Sequence, residues 1–273
     1  GVGLVGSEMC IRDSTTTITS IADRGDATSF YALTGGGFCK GTPDEYGVTV
    51  YKMGFCTKNP ANPTLGSVLV GSAPDYSTCS WTYENSTGEA ASCSAGGSLD
   101  LSESFASAPT TGTYPFAVML ISKDFNIKGK FGPVGGKTYY STTTFQTSST
   151  DIDDYATQVA PLNTFGGDSV CVAYTEGEAV TDGTISAYLV NSSGILLDND
   201  SSISECSGQE KLLGVMKMSS DLTISDATAG LKMTFTVTNN GMSVVTNRAG
   251  TDIFVDSGPV SYTHLTLPTS RSV

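Results

Sequence analysis

Tyr46-Gly-Val-Thr-Val-Tyr-Lys-Met-Gly-Phe-Cys56 is the stretch whose reading decides the fold. Thr49, Tyr51, Met53 and Phe55 alternate with Val48, Val50, Lys52, Gly54 and Cys56. β-Branched and aromatic residues at a period of two favour a pleated, partly buried strand over a helix. The strand ends in a cysteine, and an excursion rich in Asn, Pro, Gly and Ser follows before the next one, Cys79. Strand, cysteine, excursion and cysteine together predict an oxidised, extracytoplasmic β-protein.

Outward from this strand, the two ends of the chain read differently from the rest. Residues 5–13, Val-Gly-Ser-Glu-Met-Cys-Ile-Arg-Asp, resemble a translated sequencing-library adapter. Residues 260–269, Val-Ser-Tyr-Thr-His-Leu-Thr-Leu-Pro-Thr, resemble the reverse complement of the same kind of end. Residues 1–14 and 260–273 are therefore set apart from fold reasoning, as adapter-like artefacts, and 15–259 are read as the natural segment. The natural start then precedes what was read, and a missing signal peptide carries no information. Setting the ends aside removes Cys10 and the single histidine, His264, leaving six cysteines. It also removes two acids (Glu8, Asp13) and two bases (Arg12, Arg271), so the net charge stays at −13.

That charge argues against a phosphate-binding surface, so no nucleic-acid partner is expected, because nucleic-acid affinity rests on clustered Lys and Arg. The longest apolar run, Phe116-Ala-Val-Met-Leu-Ile121, is far short of the ~20 residues of a spanning helix, so no membrane insertion is expected. Residues 15–259 suffice for one large β-domain, or for two halves at about 15–147 and 164–259, since β-sandwiches of roughly 200–250 residues occur as single domains.

The disulfide candidates are Cys39, Cys56, Cys79, Cys93, Cys171 and Cys206, an even number without the close pairs of zinc ribbons or redox motifs. Six cysteines admit many connectivities. The pairing read here is Cys56 with Cys79, Cys39 with Cys93 and Cys171 with Cys206. The main alternative is local, Cys39 with Cys56 and Cys79 with Cys93; buried free thiols in a reducing cytosol are the other.

The rest of the chain is strand and turn. Thr15 to Ile21 and Ala27 to Leu33 are short β-runs around Asp23-Arg-Gly-Asp26, which contains the integrin-binding tripeptide but is first of all good hairpin chemistry. The excursion from Asn59 to Thr78 reads as an ordered, disulfide-tied surface loop. Trp81, in line with Cys79 and Tyr83, is expected in the core. Asn85-Ser-Thr-Gly88 is a turn, and Phe116 to Ile121, apolar on both faces, should be a central strand. Gly132-Pro-Val-Gly-Gly-Lys-Thr138 resembles a nucleotide-binding phosphate loop, but its first glycine is too close and a β-run follows where that loop needs a helix. Asp151 to Val159, opened by acids and pairing Ile152, Tyr155 and Val159, suits one or two helical turns. Ser169 to Tyr174, Thr184 to Val190 and Leu212 to Met218 are strands. Leu231 to Val237 and Met242 to Thr246 form a hairpin through Asn240-Gly241.

Without a native histidine, Ser-His-Asp and Cys-His catalysis cannot be built, and no catalytic, cofactor or metal residue is assigned. Asp198-Asn-Asp-Ser-Ser202 has the alternating oxygens of a calcium loop. Ile203 stands where an EF-hand needs Gly and Gln209 where it needs Glu, so an acidic turn is the reading. Asn85, Asn191 and Asn199 each begin a sequon.

Across 46–146, Val-Thr-Val-Tyr-Lys-Met-Gly-Phe-Cys, the Cys-closed loop, Gly-Thr-Tyr-Pro and Phe-Asn-Ile-Lys-Gly resemble uncharacterised β-sandwich surface and virion proteins of environmental bacteria and phages. The resemblance implies a fold more than a function. The expected fold is all-β, an antiparallel β-sandwich, immunoglobulin-like or related, with at most a short helix near 151–159. The expected role is a secreted or surface-displayed structural or adhesive protein without catalysis, with a glycan or protein partner at an extracellular, periplasmic or cell surface. A phage virion component is the first alternative, and a carboxylate-based glycan hydrolase or glycan-binding module the next.

Overall fold

A computed structural model describes residues 43–228, except 65–66, 95–100, 102–103, 105, 135–136, 167–169, 181, 200–205, 207 and 227. It also describes the strand segments 9–11, 17–18, 38–41, 234–236, 242–246, 253–256 and 264–266. In chain order the described strands are β1 (Met9–Ile11), β2 (Thr17–Ile18), β3 (Phe38–Gly41), β4 (Glu45–Cys56), β5 (Cys79–Ser94), β6 (Gly112–Ser122), β7 (Asp124–Lys128), β8 (Lys130–Val134) and β9 (Lys137–Ser141). They continue with β10 (Ser148–Ser149), β11 (Gln158–Pro161), β12 (Tyr174–Val180), β13 (Gly183–Asn191), β14 (Gln209–Ile224), β15 (Thr234–Thr236), β16 (Met242–Thr246), β17 (Ile253–Asp256) and β18 (His264–Thr266).

The chain is all-β and sandwich-like, and its described strand pairs are antiparallel. An eight-stranded sheet runs β11-β7-β4-β6-β14-β13-β12, with β5 paired to β4. Strands from both stretches, 15–147 and 164–259, are hydrogen-bonded into this one sheet. β6 occupies its centre, as two apolar faces require. On one face Val118 and Leu120 pack with Cys56, Tyr188, Val190, Leu213 and Val215. On the other, Ile121 joins Val50, Leu189 and Leu212, while Ala117 joins Phe55, Met216 and Met218. From Phe116 to Ile121 both faces of β6 pack against apolar side chains, so this stretch lacks the polar alternation of a half-exposed strand.

The strict alternation read in β4 is corrected by its register. Val50 opposes Ile121 and Lys52 opposes Leu120, which are neighbours on β6, so Tyr51 is an extra residue in a β-bulge. Val48 and Val50 therefore share a face with Met53 and Phe55, and not with Lys52 and Cys56. β5 is irregular at the same place: Glu84 opposes Lys52 and Glu89 opposes Val50, and the residues between them, Asn85 to Gly88, form a bulge inside β5 where the sequence predicts a turn between elements. Asn85 Oδ1 accepts from the Thr87 N–H at 3.1 Å within that bulge. Gly88 has φ 77°, and a Cβ there would meet Thr49 and Tyr51, so the bulge at Tyr51 needs glycine on its partner strand.

Among the described residues, helix is confined to short 3-10 turns such as Tyr76–Thr78 and Ile152–Asp154. In the second, Asp151 caps by accepting from the Asp153 N–H at 3.0 Å, and Asp153 and Asp154 fill the first turn. The expected apolar face does not form. Ile152 is 64 % and Val159 48 % exposed. Val159 instead lies in β11, because Gln158–Pro161 pairs with β7.

β8 and β9 pair as an antiparallel hairpin where the sequence resembles a phosphate loop. Of the strand expected over Ser169 to Tyr174, Ser169 lies outside the described residues, and the rest holds a single bridge at Cys171 followed by the start of β12 at Tyr174. The Asn240-Gly241 turn lies outside the described residues, and the segments flanking it take other partners: β15 pairs with β18, and β16 with β17 and β3. Pairings also reach the adapter-like ends, since β1 pairs with β2 and β3, and β18 with β15. The Asp23 to Asp26 turn lies outside the described residues.

Candidate functional site

Two cystines stand among the described residues. Cys56, the last residue of β4, directly opposes Cys79, the first of β5, and the two are bonded across a sequence separation of 23. Cys171 and Cys206 are bonded across 35 residues. Both pairs are those read from the sequence, and the bond at Cys56 overturns the local alternative. The side chains of Cys39 and Cys93 lie outside the described residues.

The excursion closed by Cys56–Cys79 is a lid on the sheet as well as a surface loop. Ala61 is fully buried in the Val118–Leu213 face, with Val68, Leu69 and Tyr76 packed against it. Backbone bonds fix its path: Thr57 N to Thr78 O at 3.0 Å, Leu69 N to Ala61 O at 2.8 Å, and Asp75 N to Pro60 O at 2.8 Å. Gly71 N to Leu196 O and Leu196 N to Ser72 O, both at 2.9 Å, stitch it to the connection that follows β13.

Three polar clusters surround this frame. In the first, Tyr188 from β13 donates to Glu176 Oε1 at 2.6 Å, and Asn59 Nδ2 donates to the Tyr188 hydroxyl at 3.0 Å. Asn62 Nδ2 donates to the same Glu176 oxygen at 3.0 Å. Burial, and then the bond to Glu176, push the Tyr188 phenol well above its ordinary value. The group is a hydrogen-bonded pin from the excursion to the edge strand β12.

In the second cluster, Trp81 opposes Gly54, and a Cβ on Gly54 would fall 2.4 Å from Ser80 O and 2.9 Å from Trp81 Cε3. The glycine lets the indole approach the β4 backbone. Tyr76 meets the Trp81 ring edge-on at 5.2 Å, and Lys52 Nζ stands 5.1 Å from the Trp81 ring centre while pairing with Glu84 at 2.8 Å. Trp81 is partly buried against the core, as expected. Burial pushes the Tyr76 phenol up to about 12.

The third cluster joins chain ends of the sheet. Tyr155 donates to Asp44 Oδ2, Lys130 pairs with the same oxygen at 3.3 Å, and Lys128 Nζ lies 4.6 Å from the Tyr155 ring centre. Burial first, then the bond to Asp44, raises the Tyr155 phenol far above the usual tyrosine range.

In chemical terms each cluster is a closed arrangement of donors and acceptors drawn from two or three distant segments. No sequence signal announces them, because spacing along the chain carries no trace of Asn59 meeting Tyr188. Of the acidic turn, Asp200, Ser201 and Ser202 lie outside the described residues. Asn199 Oδ1 accepts from the Ala173 N–H at 2.7 Å, and Asp198 Oδ1 from the Asn199 N–H at 2.8 Å. Among the described residues no group of three or more His, Cys, Asp or Glu is arranged to hold a metal ion. Nor is any described helix long and apolar enough to cross a membrane. Of the sequon asparagines, Asn85 is buried and Asn191 caps its own turn, accepting from Ser193 and Ile195 N–H groups. No protein-family model, curated protein or solved structure matches the chain.

Proposed function

We propose that this chain is a secreted or surface-displayed β-sandwich with a structural or adhesive role and no catalysis. The observation that supports it best is the pair of cystines, one of which ties a core-covering excursion to the centre of the sheet. Such bonds persist in oxidising compartments and are rare in reducing ones. The polar clusters point the same way: Tyr188, Glu176, Tyr155, Asp44, Lys52 and Glu84 are engaged with one another, as in a framework. A glycan or protein is the partner class that suits an acidic outer surface. A phage virion component of the same architecture is the second reading. It is favoured by the resemblance of residues 46–146 and disfavoured by the cystines.

The test is production of the same chain in an oxidising periplasm and in a reducing cytosol. The expected result is a protease-resistant fold from the periplasm and a protease-sensitive chain from the cytosol. Equal resistance and equal denaturant midpoints from both, with free thiols in the cytosolic product, would overturn the extracytoplasmic reading.

A further inference from the structure

Lys123 lies in the one-residue connection between β6 and β7, and its side chain is 17 % exposed. Its Nζ is 2.9 Å from Asp124 Oδ1 and 3.3 Å from Asn163 Oδ1. Asn163 follows β11 and is itself exposed. Gln209, the first residue of β14, donates through Nε2 to Asn163 Oδ1 at 3.1 Å and to Asn163 O at 3.2 Å. Three segments far apart in sequence thus meet, and their backbones are tied where they meet. Lys123 N donates to Glu210 O at 3.1 Å, and Leu162 N donates to Lys123 O at 2.9 Å.

An amine, a carboxylate and a carboxamide held in this order are the reactants of amide exchange. We propose that Lys123 and Asn163 form an intramolecular isopeptide bond, with Asp124 as the proton carrier and Gln209 as the group that positions and polarises the amide. Asp124 takes a proton from the Lys123 ammonium, which frees the nitrogen lone pair to attack Asn163 Cγ. Negative charge develops on Asn163 Oδ1, where the Gln209 Nε2–H already donates, the arrangement that stabilises a tetrahedral intermediate in acyl transfer. The bond from Asn163 Cγ to Nδ2 then breaks. The leaving nitrogen takes the proton from Asp124 together with a second from the attacking nitrogen and departs as ammonium, which leaves one N–H on the new amide and returns Asp124 to the carboxylate. One C–N bond forms, one breaks, and nothing is oxidised or reduced. Proximity supplies much of what such a reaction needs, because the backbone bonds keep the amine within 3.3 Å of the carboxamide oxygen. The product would clamp β11, an edge strand of the eight-stranded sheet, to the β6–β7 connection. This inference goes beyond the proposed function, and its readout is separate from the cystines.

The experiment is high-resolution intact mass of the full, folded chain in the presence of reductant, at purification and after prolonged incubation, followed by tryptic mapping. The expected result is the loss of one ammonia, no tryptic cleavage at Lys123, and a branched peptide joining the segments that hold Lys123 and Asn163. A succinimide at asparagine would lose the same mass, so the same measurement is made on Lys123→Arg, which keeps the pair with Asp124 and the fold, checked by circular dichroism. The loss should vanish there, vanish in Asn163→Ala, and form many-fold more slowly in Asp124→Ala. An unchanged wild-type mass with cleavage at Lys123, or a loss that persists in Lys123→Arg, overturns the proposal and leaves Lys123 as a surface hydrogen-bond donor.

Discussion

Replacing Cys56 and Cys79 together by alanine removes one covalent link and leaves every strand in place. The link closes a loop spanning a separation of 23 residues. Chain-entropy arguments then assign it about 3.4 kcal/mol at 25 °C, through a less restricted unfolded state. Cys56 is fully buried, so truncation also takes a sulfur out of the face formed by Val118, Tyr188 and Leu213, for a further loss of about 1 kcal/mol. Alanine is the right replacement, since serine would bury a hydroxyl. A total near 4 kcal/mol is a large part of the ~5–15 kcal/mol that holds a typical domain together. For a chain of this size it corresponds to a fall of roughly 10 °C in melting temperature. The chain's single tryptophan, Trp81, sits two residues after Cys79 and packs against Tyr76 of the excursion, so its fluorescence reports on this region during urea unfolding. A midpoint shift equivalent to less than about 1 kcal/mol would show that the excursion is held by its hydrogen bonds and not by the cystine.

Leu213→Ala, at a position fully buried in the same face, should cost about 2–5 kcal/mol in urea unfolding, with the spread set by how far the site relaxes. Gly54→Ala places a Cβ 2.4 Å from Ser80 O and must push β5 away from β4, so a loss of roughly 1–3 kcal/mol and a red shift of Trp81 emission are expected. Tyr76, Tyr155 and Tyr188 all hold their phenol protons more tightly when folded. Their contribution is therefore fully present below the unfolded value of about 10 and is lost as pH rises through the folded one. Urea midpoints should fall progressively from about pH 10 towards pH 12, with ultraviolet titration showing late-ionising tyrosines; flat midpoints would contradict the assignment. Truncation to residues 15–259 should leave the melting temperature nearly unchanged, and a large loss would show that the end strands β1 and β18 belong to the fold.

What was legible in the sequence was what local pattern can encode. Phe116 to Ile121 has no polar face, and so could only sit inside a covered sheet. The Cys-closed excursion declares itself by composition, but the choice of Cys79 over Cys39 as the partner of Cys56 rests on the pairing of β4 with β5, which no single stretch encodes. The bulge at Tyr51 was not legible, because register belongs to a pair of strands. One extra residue in β4 counts only against the unbroken run of β6. Val159 was placed on a helical face because its spacing from Ile152 and Tyr155 suits one, but ladder bonds to β7 decided otherwise. The Asn59–Tyr188–Glu176 pin and the Lys123–Asn163–Gln209 junction join residues many positions apart, and no window of sequence contains either.

The central claim, a β-sandwich stapled for an oxidising compartment, is tested most directly by counting thiols. The chain with its seven cysteines, isolated from an oxidising compartment and denatured without reductant, is alkylated, weighed intact and mapped. The account predicts that Cys56, Cys79, Cys171 and Cys206 stay unlabelled until reductant is added. Peptides joined Cys56 to Cys79 and Cys171 to Cys206 should be recovered before reduction. Alkylation of all four without reductant would contradict it, and the virion reading would take its place.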